Sequence, residues 1–257
     1  MDPELRVERR GDVDVLTIDR PAARNALTFQ TYAELERAVR ETTARCLVIT
    51  GAGTAFCSGD DVKQVMGGGD GRTGERVAQA PRLTPAAAAL LASDVPAIAA
   101  VNGPAVGWGM ELALLCDLRI AGERAKFGEL FVLRGLCCDV AGLARLAALV
   151  GREKAAELLF TGDVIDAREA ERIGLVSRVV PDAELLDAAL ALAARIAANP
   201  PLAVQRIKAG LREALDPDWD ALGAWVARSL GELFRTEDHR EGVRSFLEKR
   251  APRYVGR

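Results

Sequence analysis

Two carboxylates stand where carboxylates are hard to accommodate. Glu111 lies in "AVNGPAVGWGMELALLCD" (100–117), a stretch that is otherwise apolar, directly after the turn Gly107-Trp108-Gly109. A buried ionised carboxylate is costly unless a partner or a reaction uses it. Asp139 lies in "LRGLCCDVAGLARL", a loop of small and apolar residues ahead of a helix. Each has a purely structural alternative. Asp139 can cap the helix that follows it, and Glu111 can pair with Arg119 or Arg145. If both face one pocket, they form an acid–base pair.

Glycine-rich turns supply the second kind of chemistry. Gly107-Trp108-Gly109 opens a helix after a strand. Amide N–H groups at a helix start point outward and the helix dipole adds positive potential, so the turn suits an anion or a developing oxyanion. A tight turn alone would also explain the glycines. The third glycine of a dinucleotide fingerprint is missing, which leaves a nicotinamide-dependent dehydrogenase a distant reading. "AFCSGDD" (55–61) is a second glycine loop after a buried strand. It has neither the spacing of a serine nucleophile elbow nor the Gly-Lys-Ser/Thr of a phosphate loop. Its plain reading leaves Asp60 and Asp61 in water.

Other chemistries are disfavoured. The chain has one histidine and five cysteines, with no C-x-x-C spacing, so zinc sites and Ser-His or Cys-His catalysis lack residues. The cysteines are expected as reduced thiols filling the core. His239, within "RTEDHREG", is expected on a solvated helix face. Net charge is −3 with 49% hydrophobic residues, so no footprint for nucleic acid appears. No apolar run is long enough to span a bilayer, and the charged start lacks a signal-peptide core. The expectation is a soluble, cytoplasmic protein that touches neither nucleic acid nor membrane.

The elements that must position these residues read as follows. "VDVLTIDR" (13–20), "RCLVITG" (45–51), "VPAIAAVNG" (95–103), "DLRIAG" (117–122), "AKFG" (125–128) and "LVSRVV" (175–180) are expected strands. Thr28 is placed to cap a helix through Glu41, and Asp166 with Glu169 to open a short helix that Gly174 ends. The glycine-rich stretch 65–83 is expected as a flexible flap. Helices follow from Pro181 onward. Their apolar stripes exceed what one surface needs, which favours an oligomer contact.

In order along the chain, "RPAARNALT", "LVITGAGTAFCSGDDVKQV", "PAIAAVNGPAVGWGMELALLCDLRIAGERAKFG", "LLFTGDVIDAREAERIGLVSRVV" and "EGVRSFLEKR" resemble the crotonase superfamily, the enoyl-CoA hydratase/isomerase family. The resemblance covers nearly the whole chain. It implies an α/β fold: a crotonase-like spiral of ββα units with C-terminal trimerisation helices. Residues 1–195 would form the core with an acyl-CoA site, and 196–257 the helical oligomerisation region of a homotrimer or a hexamer of two trimers. It implies an acyl-CoA thioester substrate and no cofactor or metal, coenzyme A entering as part of the substrate. The backbone N–H groups of Asp60 and Trp108 would hold the thioester oxygen as it gains enolate charge. Such a donor is typically worth roughly 3–4 kcal/mol. Ala23, Arg24, Cys57, Ser58, Gly59, Asp61 and Gly107 would border the coenzyme A groove, and Lys63 and Lys249 would meet its phosphates.

Glu111 matches one of the two catalytic glutamates of the hydratases. The second should lie after "KFG", and a register without gaps puts Phe131 there, extending the acyl pocket. Asp139 stands further on, where some isomerases of the family carry their proton-shuttling aspartate. The combination leads to an enoyl-CoA hydratase with Glu111 and Asp139 as acid and base. An enoyl-CoA isomerase using Asp139 as base is the alternative, and a non-catalytic acyl-CoA binder the reading of another class.

Overall fold

Alternating apolar residues build a sheet that is buried on both faces. The computed structural model describes residues 2–62, 64 and 83–257. The expected flap therefore lies outside the described residues except for Leu83, and so does Lys63. Strands β1 (Leu5–Arg10), β2 (Val13–Ile18), β3 (Cys46–Gly51), β4 (Ala97–Val101), β6 (Leu118–Gly122) and β9 (Val179–Val180) form one sheet in the order β1-β2-β3-β4-β6-β9. Only the β1–β2 pairing is antiparallel; the others are parallel. Val13, Val15, Cys46, Val48, Ile98, Ala100 and Ile120 face one side. Leu16, Ile18, Leu47, Ile49, Ala97, Ala99 and Val101 face the other. This two-residue period, apolar on both sides, is what a covered parallel sheet requires.

Helix α7 (Leu185–Ala197) covers the first side with Leu185, Ala189, Ala193 and Ala197, one residue per turn. Small residues let its backbone approach the strands closely. A larger side chain at the fully buried Ala189 would cost about 1–3 kcal/mol by overpacking. The other side carries α1 (Phe29–Glu41), α2 (Pro85–Ala92) and α3 (Trp108–Leu115), whose apolar residues join Leu16, Leu47 and Ala99 in the larger core. Thr28 caps α1: its hydroxyl accepts from the Thr31 amide at 3.1 Å, and the Thr31 hydroxyl accepts in return from the Thr28 amide.

A second sheet runs β5 (Pro104–Val106), β7 (Lys126–Gly128), β8 (Ile165–Asp166). Bridges extend it, pairing Cys57 with Ala105 and Leu27 with Asp60. Successive turns of the chain thus lie against one another at 27, 57–60, 105, 127 and 165. This stacking of strand–strand–helix units forms the spiral, and it brings the two glycine loops side by side.

The remaining helices are α4 (Ala147–Val150), preceded by a wider turn over Gly142–Leu146, then α5 (Arg152–Thr161) and α6 (Ala167–Arg172). The Asp166 carboxylate caps α6 by accepting from the Glu169 amide at 2.8 Å. After α7 come α8 (Pro201–Leu215), α9 (Trp219–Leu233) and α10 (Glu237–Glu248).

Three expectations need correction. β1 was not foreseen, because only Leu5 of its residues is buried and an exposed edge strand shows no apolar pattern. "LVSRVV" is a strand only at Val179–Val180; Leu175 and Val176 are buried core residues of the preceding turn. His239 is buried rather than solvated. Its ring stacks edge-on against Phe234, and Nδ1 lies 2.7 Å from the Arg134 carbonyl oxygen. Charged neighbours in sequence hid the one face of α10 that packs on the 132–134 turn.

Candidate active site

The spiral sets the two glycine loops in direct contact. Gly59 has φ +88°, and a Cβ there would lie 2.9 Å from the Val106 carbonyl oxygen and 3.3 Å from the Trp108 amide nitrogen. Gly109 is closer still, since its Cβ would fall 2.1 Å from the Cys57 carbonyl oxygen. Only glycine permits this approach. Backbone bonds fix the pair: Val106 N–H donates to Cys57 at 3.0 Å, Leu27 N–H to Gly59 at 2.8 Å and Asp61 N–H to Leu27 at 2.8 Å. Among the described residues, the amides of Asp60 and Trp108 find no acceptor. Trp108 is the first residue of α3, where the helix itself offers none.

The side chains of the same two residues tie the loops together. The Tyr32 hydroxyl donates to Asp60 Oδ1 at 2.6 Å. The Tyr32 ring meets Trp108 edge-on at 4.7 Å. The Trp108 indole N–H donates to Asp139 Oδ2 at 3.2 Å. Asp60 is not in open water. Burial pushes its carboxyl up to about 6, Asp139 adds to the rise, and the Tyr32 hydroxyl opposes it. Asp61 pairs with Arg20 at 3.1 Å.

Glu111 sits one turn into α3 and is 1% exposed. No arginine among the described residues reaches it. Arg119 donates to the carbonyls of Ala113, Cys116 and Leu175, and Arg145 pairs with Asp216. Glu111 instead accepts from the amides of Ala141 at 3.0 Å and Gly142 at 3.1 Å. Burial raises its proton affinity well above the ordinary carboxylate range. Glu129 and Asp139 raise it further, and the two amides pull it back. Asp139 is partly exposed. Its Oδ1 accepts from the next amide, Val140, at 2.8 Å. Its carboxyl is also raised by burial, against the pull of Val140 and Trp108.

A third acid escaped the sequence reading. Glu129 directly follows "KFG", the place where a second glutamate was expected, but two residues before Phe131. Its side chain is 1% exposed, and neither carboxyl oxygen has a hydrogen-bond partner among the described residues. Burial, then Asp139, drive its carboxyl well up. The available signal was a carboxylate flanked by Phe127, Leu130 and Phe131, the same anomaly that singled out Glu111. Phe131 itself is buried at the head of the 132–134 turn, within the larger core.

The expected groove residues divide. Ala23 and Arg24 lie beside the 57–61 loop: Ser58 N–H donates to the Arg24 carbonyl at 3.1 Å and its hydroxyl to Ala23 at 3.3 Å. The exposed Arg24 side chain makes no ion pair among the described residues. Cys57 is a buried thiol pushed up to about 12 by burial, so it is no nucleophile. Lys249 stands apart, at the exposed end of α10, and no hydrogen bond or ion pair joins it to the loop.

A profile of the enoyl-CoA hydratase/isomerase family matches residues 8–257. The chain belongs to the enoyl-CoA hydratase/isomerase family. The 2,3-dehydroadipyl-CoA hydratase of Escherichia coli is 40% identical over 258 residues, covering 99% of each chain. The crotonyl-CoA hydratase of Syntrophomonas wolfei is 39% identical, over 98% of this chain and 97% of its own. The crystal structure of an enoyl-CoA hydratase/isomerase from Pseudoalteromonas atlantica superposes with a TM-score of 0.88 at 29% identity, covering 98% of this chain and all (100%) of that one. In this member of the family, two amides unpaired among the described residues and the acids Asp60, Glu111 and Asp139 are gathered at the contact between the 57–61 loop and the start of α3, with Glu129 nearby.

Proposed function

We propose that the protein is an enoyl-CoA hydratase, adding water across the 2,3 double bond of a 2-enoyl-CoA thioester. The observation that carries the reading is the pair of unpaired amides at Asp60 and Trp108 beside the amide-held Glu111. The thioester oxygen would lie between those amides, which stabilise the enolate without reorganising. Water adds to the β-carbon as Glu111 or Asp139 takes one of its protons. The α-carbon then takes a proton from a group that is protonated at the working pH. Hydratase names among relatives of 39–40% identity support the reaction.

The other parts of the reading follow from the same site. Arg24 would meet the phosphates of coenzyme A from the edge of the 57–61 loop. Leu202 (74% exposed), Ile207 (64%), Leu211 (54%) and Leu215 (74%) form an exposed apolar row on α8, which favours assembly as a trimer or a pair of trimers. Among the described residues no helix is long and apolar enough to cross a membrane.

Crotonyl-CoA in water enriched in heavy oxygen tests the reaction. Hydration puts the heavy oxygen into a 3-hydroxyacyl product. Migration of the double bond with no solvent oxygen would instead establish the isomerase. Binding of the thioester with neither oxygen incorporation nor α-hydrogen exchange would establish a non-catalytic binder.

A further inference from the structure

We propose that Glu129 is the proton donor of this site: a carboxylic acid kept neutral that protonates the substrate's α-carbon, in place of the glutamate absent at position 131. The inference rests on the hydratase reading and adds a residue to it.

Glu129 is anchored beside the oxyanion turn. Gly107 N–H donates to the carbonyl of Gly128, the residue before Glu129, at 2.9 Å. In the β5–β7 register Gly128 pairs with Val106. The backbone of Glu129 is therefore one residue away from the strand pair that leads into Trp108. In an acyl-CoA the α-carbon is bonded to the thioester carbon, so an acid adjoining the oxyanion turn is placed for that carbon.

Other buried acids show how unusual its surroundings are. Asp14 is 5% exposed and is bonded by Arg9 and by the Thr42 hydroxyl. Glu111 accepts two backbone amides. Glu129 has nothing. An unpartnered buried polar group costs about 1–3 kcal/mol, so a fold that needed this side chain only for packing would be more stable with an apolar one. Among the described residues, Asp139 acts on it and it acts on Glu111 and Cys138, and no cation is among these groups. No group of described residues is spaced to hold a metal ion. Three carboxylates so placed cannot all be charged. Hydrogen bonds decide which keeps the proton. Amides favour the anion of Glu111, and an amide with the indole that of Asp139, while no donor among the described residues does so for Glu129. On that ground the proton is assigned to Glu129, and the activation of water to one of the other two.

The step balances. The water oxygen bonds to the β-carbon and one water proton goes to Glu111 or Asp139. The electron pair of the double bond moves into the enolate held by the amides. The enolate collapses as the Glu129 O–H proton goes to the α-carbon. The proton taken from water returns to Glu129, and the net change is addition of water.

Glu129→Gln keeps size and removes the acid. It is expected to lower kcat for crotonyl-CoA hydration about 10²–10⁴-fold, with KM within about threefold and the melting temperature unchanged, which separates a lost acid from loss of folded enzyme. Exchange of the α-hydrogen of 3-hydroxybutyryl-CoA in heavy water should fall by the same factor. The alkaline limb of the pH–rate profile should vanish, and Glu129→Asp should recover part of the rate. For a readout without catalysis, infrared spectra of wild-type protein labelled with ¹³C-glutamate should show a protonated carboxyl at neutral pH. That band should survive in Glu111→Gln. A Gln variant with wild-type kcat, or an active wild type without the band, overturns the assignment. A wild type that keeps the band but is inert on enoyl-CoAs overturns the hydratase reading instead.

Discussion

Gly142 leaves room for the Glu111 carboxylate, and filling that room should cost activity more than stability. A Cβ at position 142 would lie 2.7 Å from Glu111 Oε1 and 3.1 Å from both Cβ and Sγ of Cys138, where ordinary contact begins at 3.4 Å. The carboxylate must retreat by about 0.7 Å. That movement weakens the bonds from the Ala141 and Gly142 amides, now 3.0 and 3.1 Å long. Hydrogen bonds to a charged group are worth about 1.5–3 kcal/mol each. Misplacing a catalytic group by about 1 Å typically costs on the order of 10²-fold. Gly142→Ala should therefore lower kcat for crotonyl-CoA about 30–100-fold. Stability should change little. Position 142 is helical, so alanine contributes about 1 kcal/mol through backbone entropy, against about 1–3 kcal/mol of overpacking. The steady-state rate and the melting temperature, measured together, decide the matter. A variant with wild-type kcat, or one that loses activity only in proportion to unfolding, would refute this view of Glu111.

Three further outcomes are expected. Asp60 keeps a proton in the folded chain that the unfolded chain releases between its ordinary 3.8 and about 6, so stability should fall as pH rises through that window. Asp60→Asn should remove up to about 3 kcal/mol of this slope, and urea midpoints with the wild-type pH dependence would contradict it. Trp108→Phe keeps an aromatic ring against Tyr32 but removes the indole donor to Asp139. The acid limb of the rate profile that reports Asp139 should move to higher pH, and an unmoved limb would exclude Asp139 from the essential groups. Arg24→Ala should weaken binding of free coenzyme A about 2–5-fold in titration calorimetry, within the range of an exposed charge contact, whereas unchanged affinity would count against its place at the groove.

The parts of this molecule that were legible in the sequence are those where burial and chemistry disagree locally. Glu111 was visible because nothing else in "GWGMELALL" is polar. The cap at Thr28 and the cap at Asp166 were visible because side-chain oxygens there bond amides three residues on. β1 was not visible, since its outward face reads as charged loop, and neither was the bond of His239 to Arg134, which joins residues 105 positions apart. Glu129 is the instructive miss. Counting along a family register led to Phe131, whereas asking which acid is enclosed by apolar neighbours leads to Glu129 two residues earlier. Position by analogy and burial by composition are independent signals, and here they pointed to different residues.

The division of roles follows from what each group is bonded to. The two residues expected to hold the oxyanion act through their backbones, so their side chains are free for other work. Asp60 and Trp108 use them to join the loops through Tyr32 and to reach Asp139. The geometry of the amides is set elsewhere, by Gly59 and Gly109, whose missing side chains let the 57–61 loop touch the start of α3. The acids differ in the same way. Burial raises all three, which by itself would leave their order undecided. Backbone amides at 140, 141 and 142, at the head of one helical segment, bond two of them and leave the third alone. A single short run of chain after Asp139 thereby supplies the amides that set two of the acids apart from the third.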